Sequence, residues 1–477
     1  MSNIDHKTML IILADDLTGA ADCAARGFSA GLRAEIDLTP APQSPRAEYT
    51  SSASELVALT TDSRHLPPAL AAQATRAIVQ YQQAHRKSLD QSPIWYKKVD
   101  STLRGNIGAE IDSMLDTINI DNQSTFVVIC PAFPQQGRGL HDGKLIRRRA
   151  SATSPATSAR DASTSAASPP AAEPTRDATG NSEPDTTAIQ AVSSHTLESG
   201  ANLVELLRAQ SAYPVAQIGL APVRQGESVL RDAIEQAHAD GARLIVVDSM
   251  QDDDLATLVA ATEPIPNVIL CGSAGLVAPL ARRIAERKAT ARLANAPTVD
   301  ECEAQAHKTA APARLPHIHT VRAEPIWIVV GSGSRTAHAQ IATARQAAIP
   351  CWDVTTATPD WDVPTLILHL PQPTQGTSLE GDGARVLAAQ LGATVAAGLQ
   401  TRHPGTLIVV GGDTAQLALE QLALTRLRVL AEVQPGMPLV CNAHAPQARP
   451  WIIFKAGNHG EPTALLELIA WIRGTQR

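Results

Sequence analysis

Ala14-Asp15-Asp16-Leu17-Thr18-Gly19-Ala20-Ala21-Asp22 follows the apolar run Met9-Leu10-Ile11-Ile12-Leu13. That run reads as a buried parallel strand. From Ala20 to about Ser29 the apolar period turns helical. Two adjacent carboxylates therefore stand where a strand ends and a helix begins. In open α/β sheets that edge is where ligands bind. Thr18 and Gly19 suit a tight turn into a helix N-terminus, whose free N–H groups attract anions. A bare helix cap by Asp15 and Asp16 is the competing reading.

The strand-then-helix rhythm recurs along the chain. Apolar runs lie at 56–59, 126–129, 244–247, 268–270, 326–330, 366–368, 407–410 and 451–454. Helical patterns separate many of them, at 68–85, 227–239, 276–288, 337–348 and 414–424. Such alternation predicts an α/β protein with mainly parallel sheets covered on both faces. At 477 residues, two α/β domains are expected. Residues 150–194 are Ser, Thr, Ala, Pro and Asp with almost no large apolar side chain. They read as a disordered loop insertion, because little apolar burial offsets their ordering entropy. Residues 286–324 are rich in Ala and interrupted by Pro297, Pro312 and Pro316, which predicts a connection. The expected layout is thus 1–285, a linker over 286–324, and 325–477.

Composition narrows the function. A net charge of −7 argues against a surface that holds nucleic-acid phosphates. No apolar run approaches the roughly 20 residues that span a bilayer. Met1 to Lys7 leads straight into the first strand without a signal-peptide pattern, so a cytoplasmic location is expected. The 6 cysteines form no CxxC pair and read as free thiols. His317-Ile318-His319 has no Cys or carboxylate partner at ligand spacing, so no protein metal site is expected.

A second motif, Lys97-Lys98-Val99-Asp100-Ser101-Thr102-Leu103-Arg104-Gly105-Asn106, follows Ile94-Trp95-Tyr96 and precedes a helix from about Ile107. It packs cations, hydroxyls and a carboxylate into one strand-to-helix turn. Arg offers a forked pair to a carboxylate or phosphate, and Lys a point charge. Thr60-Thr61-Asp62-Ser63-Arg64 places another Arg at a strand end, and Pro131-Ala132-Phe133-Pro134 opens a shaped loop that ends at Arg138. Glycine-rich turns follow later strands: Gly272-Ser273-Ala274-Gly275, Gly331-Ser332-Gly333-Ser334, Gly411-Gly412-Asp413-Thr414 and Gly457-Asn458. Together they suggest a nucleotide-phosphate site built from N–H groups and hydroxyls. No GxxxxGK[ST] is present, and no GxGxxG opens the first βα unit.

In this order these motifs resemble the four-carbon acid sugar kinases, and the likeness runs nearly end to end. The strings Asp15-Asp16-Leu17-Thr18-Gly19-Ala20 and Asp100-Ser101-Thr102-Leu103-Arg104-Gly105-Asn106 carry most of it. The resemblance implies ATP-dependent phosphorylation of a sugar acid at its terminal hydroxyl, with an N-terminal substrate domain, a C-terminal nucleotide domain and the active site in the cleft between them. Carried over by residue, Asp15 or Asp16, Arg64 and Lys98 to Ser101 resemble substrate contacts; Ser273, Gly411 to Thr414 and Gly457 resemble nucleotide contacts. The oxo-tetronate branch usually shows Cys-Ser-Thr-Phe-Asp where this chain has Asp100 to Arg104. The threonate/erythronate branch is closer, which puts D-threonate first and D-erythronate second. His459 stands where the family often has an aromatic or small residue.

The residues by themselves fit that chemistry. Arg64 and Lys98 could clamp a carboxylate, with Lys97 and Arg104 beside them. Asp16 or Asp100 could accept the hydroxyl proton. Gly331, Ser332, Ser334 and Asn458 join the expected nucleotide contacts. ATP with Mg²⁺ is the expected cofactor pair, since the metal bridges the phosphates in phosphoryl transfer. A sugar acid and ATP are the expected partners, with no nucleic acid or membrane, and a homodimer is left open. A non-catalytic sugar-acid sensor and a nicotinamide-dependent dehydrogenase are the alternatives.

Overall fold

The computed structural model describes residues 8–38, 54–89, 91–118, 125–148, 189–191, 202–294, 324–356, 358–372 and 382–474. The N-terminal part builds a parallel sheet. Its strands run side by side as Ala34–Asp37, Leu56–Thr60, Thr8–Ala14, Ser92–Lys98, Val268–Gly272, Phe126–Cys130, Leu244–Val247 and Val215–Ile218. Thr8–Ala14 is buried throughout, as a strand covered on both faces must be. The C-terminal part repeats the plan with Cys351–Asp353, Thr365–His369, Ile326–Val330, Thr406–Val410 and Trp451–Lys455 in parallel.

The expected α/β class is what forms, but the two parallel sheets are joined into one 15-stranded sheet. An antiparallel hairpin makes the join. Its strands, Arg426–Gln434 and Met437–Asn442, meet at a Pro435-Gly436 turn where Gly436 takes φ +77°, which favours glycine. Met437–Asn442 pairs with Trp451–Lys455, and Arg426–Gln434 pairs with Ala34–Asp37. Arg426 Nε lies 2.9 Å from Glu35 Oε2 across that seam, with both side chains buried. One apolar cluster runs through the seam and includes Leu13, Ala20, Leu427, Val440 and Phe454.

Helix Leu17–Ser29 sits over the seam and touches strands of both parts. It begins three residues before the apolar period shows, because Asp16 caps it. Ser92–Lys98 extends well beyond the short run at 94–96. Helix Ala274–Ala294 continues past residue 285 into the expected connection; residues 295–323, with Cys302, His317 and His319, lie outside the described residues. Within 150–194, Ile189–Ala191 forms a strand against Lys144–Arg148, so those three residues are not a free loop. The remainder of that stretch lies outside the described residues. Cys23, Cys130, Cys271, Cys351 and Cys441 are free thiols. Among the described residues no helix is long and apolar enough to cross a membrane.

Candidate active site

The C-terminal ends of Thr8–Ala14, Leu56–Thr60 and Ser92–Lys98 open on one side of the sheet. Asp16 N-caps helix Leu17–Ser29 with extended backbone (φ −143°, ψ 160°), and its Oδ1 accepts from Gly19 N at 2.8 Å. The cap is real, and it is not the whole role. Arg64 Nη1 donates to Asp16 Oδ2 at 2.6 Å. Arg64 also meets Asp15 bidentately, Nε to Oδ2 and Nη2 to Oδ1, each 2.8 Å.

These contacts split the two carboxylates. Burial by itself would raise Asp15, but the Arg64 guanidinium outweighs it and holds the carboxyl below its ordinary value. Asp16 goes the other way: burial first, then the neighbouring Asp15 charge, outweighs Arg64 and raises it. Asp100 is tied down differently. It accepts from Thr102 N, Thr102 Oγ1, Arg104 Nε at 2.9 Å and Arg104 Nη2 at 3.0 Å. Burial opposes its ionisation, yet Arg104 and Arg64 hold its carboxyl far below the usual range. The turn that carries it includes Leu103 at φ +62°, a conformation uncommon outside glycine.

A cavity opens above these groups. Asp16, Arg64, Lys98, Asp100, Ser101, Arg104, Ser273 and Asn458 all line it. Three expected substrate contacts lie beneath it instead. Asp15 is buried against Arg64. Val99 is buried and offers its carbonyl to Lys98 Nζ at 2.9 Å. Lys97 is 1% exposed and pairs with Glu110 at 2.6 Å, which outweighs burial and raises its amine. Ser63 donates to the other oxygen of Glu110, completing a buried network that holds the strand ends.

Arg64 lines the cavity, but its guanidinium is already shared between Asp15 and Asp16. The cations left for an anionic ligand are Lys98 and Arg138. Among the described residues neither makes an ion pair; Lys98 donates to Val99 O, and Arg138 Nη1 donates to Ser101 Oγ at 2.5 Å and to Gln136 Oε1 at 2.7 Å. Sequence reasoning stopped at the loop that carries Arg138. Its signal was Gly137, which takes φ +68° and turns the chain so that Arg138 starts the next strand beneath the cavity mouth. Thr18, Asp22, Phe133 and Gly436 also line the cavity and were not foreseen as contacts; His459, which the sequence marked as a departure that could alter adenine packing, lines it too.

The glycine turns close the far side. A Cβ on Gly412 would lie 3.2 Å from Thr18 Oγ1 and 3.3 Å from Asp16 Oδ2. Gly411, at φ +110°, precedes helix Gly412–Gln421, whose first turn includes Asp413 and Thr414. Gly331 and Ser332 lie against Gly411, and Gly457 packs on Ser332 with no room for a Cβ. Ser334 caps helix Arg335–Gln346 and donates to Gly457 O at 2.6 Å. The turns after three parallel strands thus interlock, with two helix N-termini among them, a combination suited to phosphate. Ser273 stands apart, on the N-terminal side; its hydroxyl donates to Ala132 O and accepts from Gly275 N. Among the described residues no three His, Cys, Asp or Glu side chains form a metal cage.

Known proteins bear on this arrangement. Residues 10–280 match the Sugar-binding N-terminal domain, and residues 364–465 the Nucleotide-binding C-terminal domain. The chain is 26% identical to the 3-oxo-tetronate kinase of Burkholderia multivorans over 95% of each chain. It is 28% identical to the D-threonate kinase of Cupriavidus necator, over 95% of this chain and 96% of the relative. The fold also matches a solved structure from Salmonella typhimurium, with a TM-score of 0.66 at 20% identity over 98% of this chain and 99% of the other. Another, from Haemophilus influenzae, gives 0.60 at 19% identity over 97% and 100%. With more than half its length matched by the sugar-binding domain, the chain belongs to the four-carbon acid sugar kinase family.

Proposed function

We propose that the chain transfers the γ-phosphoryl group of ATP to the terminal hydroxyl of a four-carbon sugar acid, with D-threonate first and D-erythronate or 3-oxo-tetronate as alternatives. The observation that carries this reading is the meeting of Asp16 with Gly412, where sugar-side carboxylates face the phosphate-side turn. Residues 1–285 would bind the acid and 325–477 the nucleotide, with 286–324 between them.

Lys98 and Arg138 fit the substrate carboxylate, since one is a buried and the other a half-buried cation without a carboxylate partner among the described residues. Ser101, held by Arg138, fits a sugar hydroxyl. Asp16 fits the proton acceptor. Its raised carboxyl is a better base than Asp100, whose lone pairs are occupied and whose basicity is suppressed. As the hydroxyl oxygen bonds to phosphorus and the bond to the β-phosphate breaks, the hydroxyl proton passes to Asp16. Mg²⁺ in such sites keeps several waters and is held largely through the nucleotide's phosphates, so with Asp16 kept as the proton acceptor the ion would enter with ATP at the phosphate-side turns. Bound there, the ion would neutralise charge on the phosphates.

A coupled assay of ADP release with D-threonate, L-threonate, D-erythronate and 3-oxo-tetronate tests the reading. One of these acids should drive turnover well above the others. Binding of both ATP and an acid without acid-dependent ADP release would leave a non-catalytic sensor.

A further inference from the structure

Strand Trp451–Lys455 ends in a buried amine. Lys455 is 1% exposed, and its Nζ donates to Ala456 O at 3.2 Å. A lysine amine carries three donors, and among the described residues no carboxylate stands within ion-pair distance of this one. Burial, with no charge opposing it, pulls its pKa down to about 7. Lysine is seldom buried unless it is paired.

The place explains the missing partner. Thr406–Val410 lies between Ile326–Val330 and Trp451–Lys455, and all three strands end in the interlocked turns. Gly411 N donates to Lys455 O at 3.1 Å. The N-termini of helices Arg335–Gln346 and Gly412–Gln421 open at the same edge. His459, four residues on, is held neutral down to about pH 4, by burial first and then by the charges of Lys455, Arg26 and Arg138. Cations and helix N-termini gather here, and the nearby carboxylates are taken by other partners, Asp16 by Arg64 and Asp22 and Glu432 by Arg26. Ala456 and His459 line the cavity, so the amine lies one residue behind its wall.

We infer that Lys455 is a phosphate-binding residue, its ammonium exchanging the Ala456 carbonyl for a phosphate oxygen of the nucleotide. The inference rests on the kinase reading and adds a residue to its nucleotide half. A phosphate supplies the counter-charge that burial withholds, so the amine is fully charged in the complex. A purely structural lysine would pin the strand end and treat every ligand alike.

Calorimetric titration of the full chain and its Lys455→Met variant with ATP, ADP and adenosine separates these roles. The variant should bind ATP and ADP about 10- to 150-fold more weakly, the range for one lost charge-assisted contact, and adenosine as the parent does. Unchanged ATP affinity, or equal loss for adenosine, overturns the inference and leaves the kinase reading standing. A parent chain that binds none of the three overturns both.

Should the variant not fold, the parent supplies the second measurement. At about pH 8, ATP binding should take up part of a proton and adenosine none, read from the heats in two buffers of different ionisation enthalpy. His459 and His338, both lowered by burial, stay neutral there; Asp16 and Asp22, whose carboxyls burial raises, are separated from Lys455 by repeating the titration in Asp16→Asn and Asp22→Asn, where the uptake should match the parent's. Zero uptake with ATP overturns the inference.

Discussion

Arg64 grips Asp15 through two parallel contacts of 2.8 Å while its third nitrogen holds Asp16 at 2.6 Å. One guanidinium thus orients both carboxylates of the first strand end. Its removal leaves buried Asp15 and half-buried Asp16 without an ion-pair partner. Arg64→Ala should therefore lower stability by about 3–5 kcal/mol as well as turnover. Urea unfolding measures it. A parental midpoint together with weakened acid binding would return Arg64 to a substrate clamp.

The two candidate bases should separate. Asp16→Asn keeps the cap to Gly19 and removes the basicity, so kcat should fall about 10²–10⁴-fold while ATP still binds. Asp100→Asn disturbs the Arg104 pairing and should lower kcat less, with a larger effect on acid binding. Steady-state kinetics of both variants decide it. Near-parental turnover in Asp16→Asn would remove Asp16 from the mechanism.

Arg138 should show its role in binding. Arg138→Gln removes one cation above Ser101 and should raise the KM for the sugar acid about 10-fold or more, leaving the KM for ATP close to the parent. An equal rise in both constants would show that the loop, rather than the charge, was lost.

Gly412 has neighbours on both sides of the cleft. A side chain here enters the 3.2–3.3 Å space before Thr18 and Asp16. Gly412→Val should accordingly depress kcat along with ATP affinity, and not ATP affinity alone. Calorimetry and kinetics on one preparation would show the paired loss; parental kcat at saturating ATP would place the valine elsewhere.

His459 sets a pH dependence. Its folded pKa of about 4 lies below the ordinary 6.5, so the unfolded chain binds the extra proton first. Its contribution is complete above pH 6.5 and is lost as pH falls from there toward 4. Replacing it by Gln should flatten the stability loss across that window, measured by denaturant unfolding at a series of pH values. An identical acid limb in parent and variant would dismiss the effect.

Much of this was legible in the order of residues. Apolar runs such as Ile326–Val330 and Thr406–Val410 are buried from end to end, and continuous hydrophobicity states that locally. The Asp15-Asp16 and Asp100–Asn106 turns were legible too, because turn geometry and helix caps depend on residues a few positions apart. Pairing was not legible. Glu35 and Arg426 stand 391 positions apart, and the seam they close exists only once Ala34–Asp37 and Arg426–Gln434 lie side by side. The same holds for which cations stay free. Lys97 and Lys98 are neighbours in sequence, yet alternation along their strand sends one to buried Glu110 and the other to the cavity. Local chemistry named the candidate groups; long-range packing, which fixes each charge's distance to its partner and its access to water, decided the role left to each.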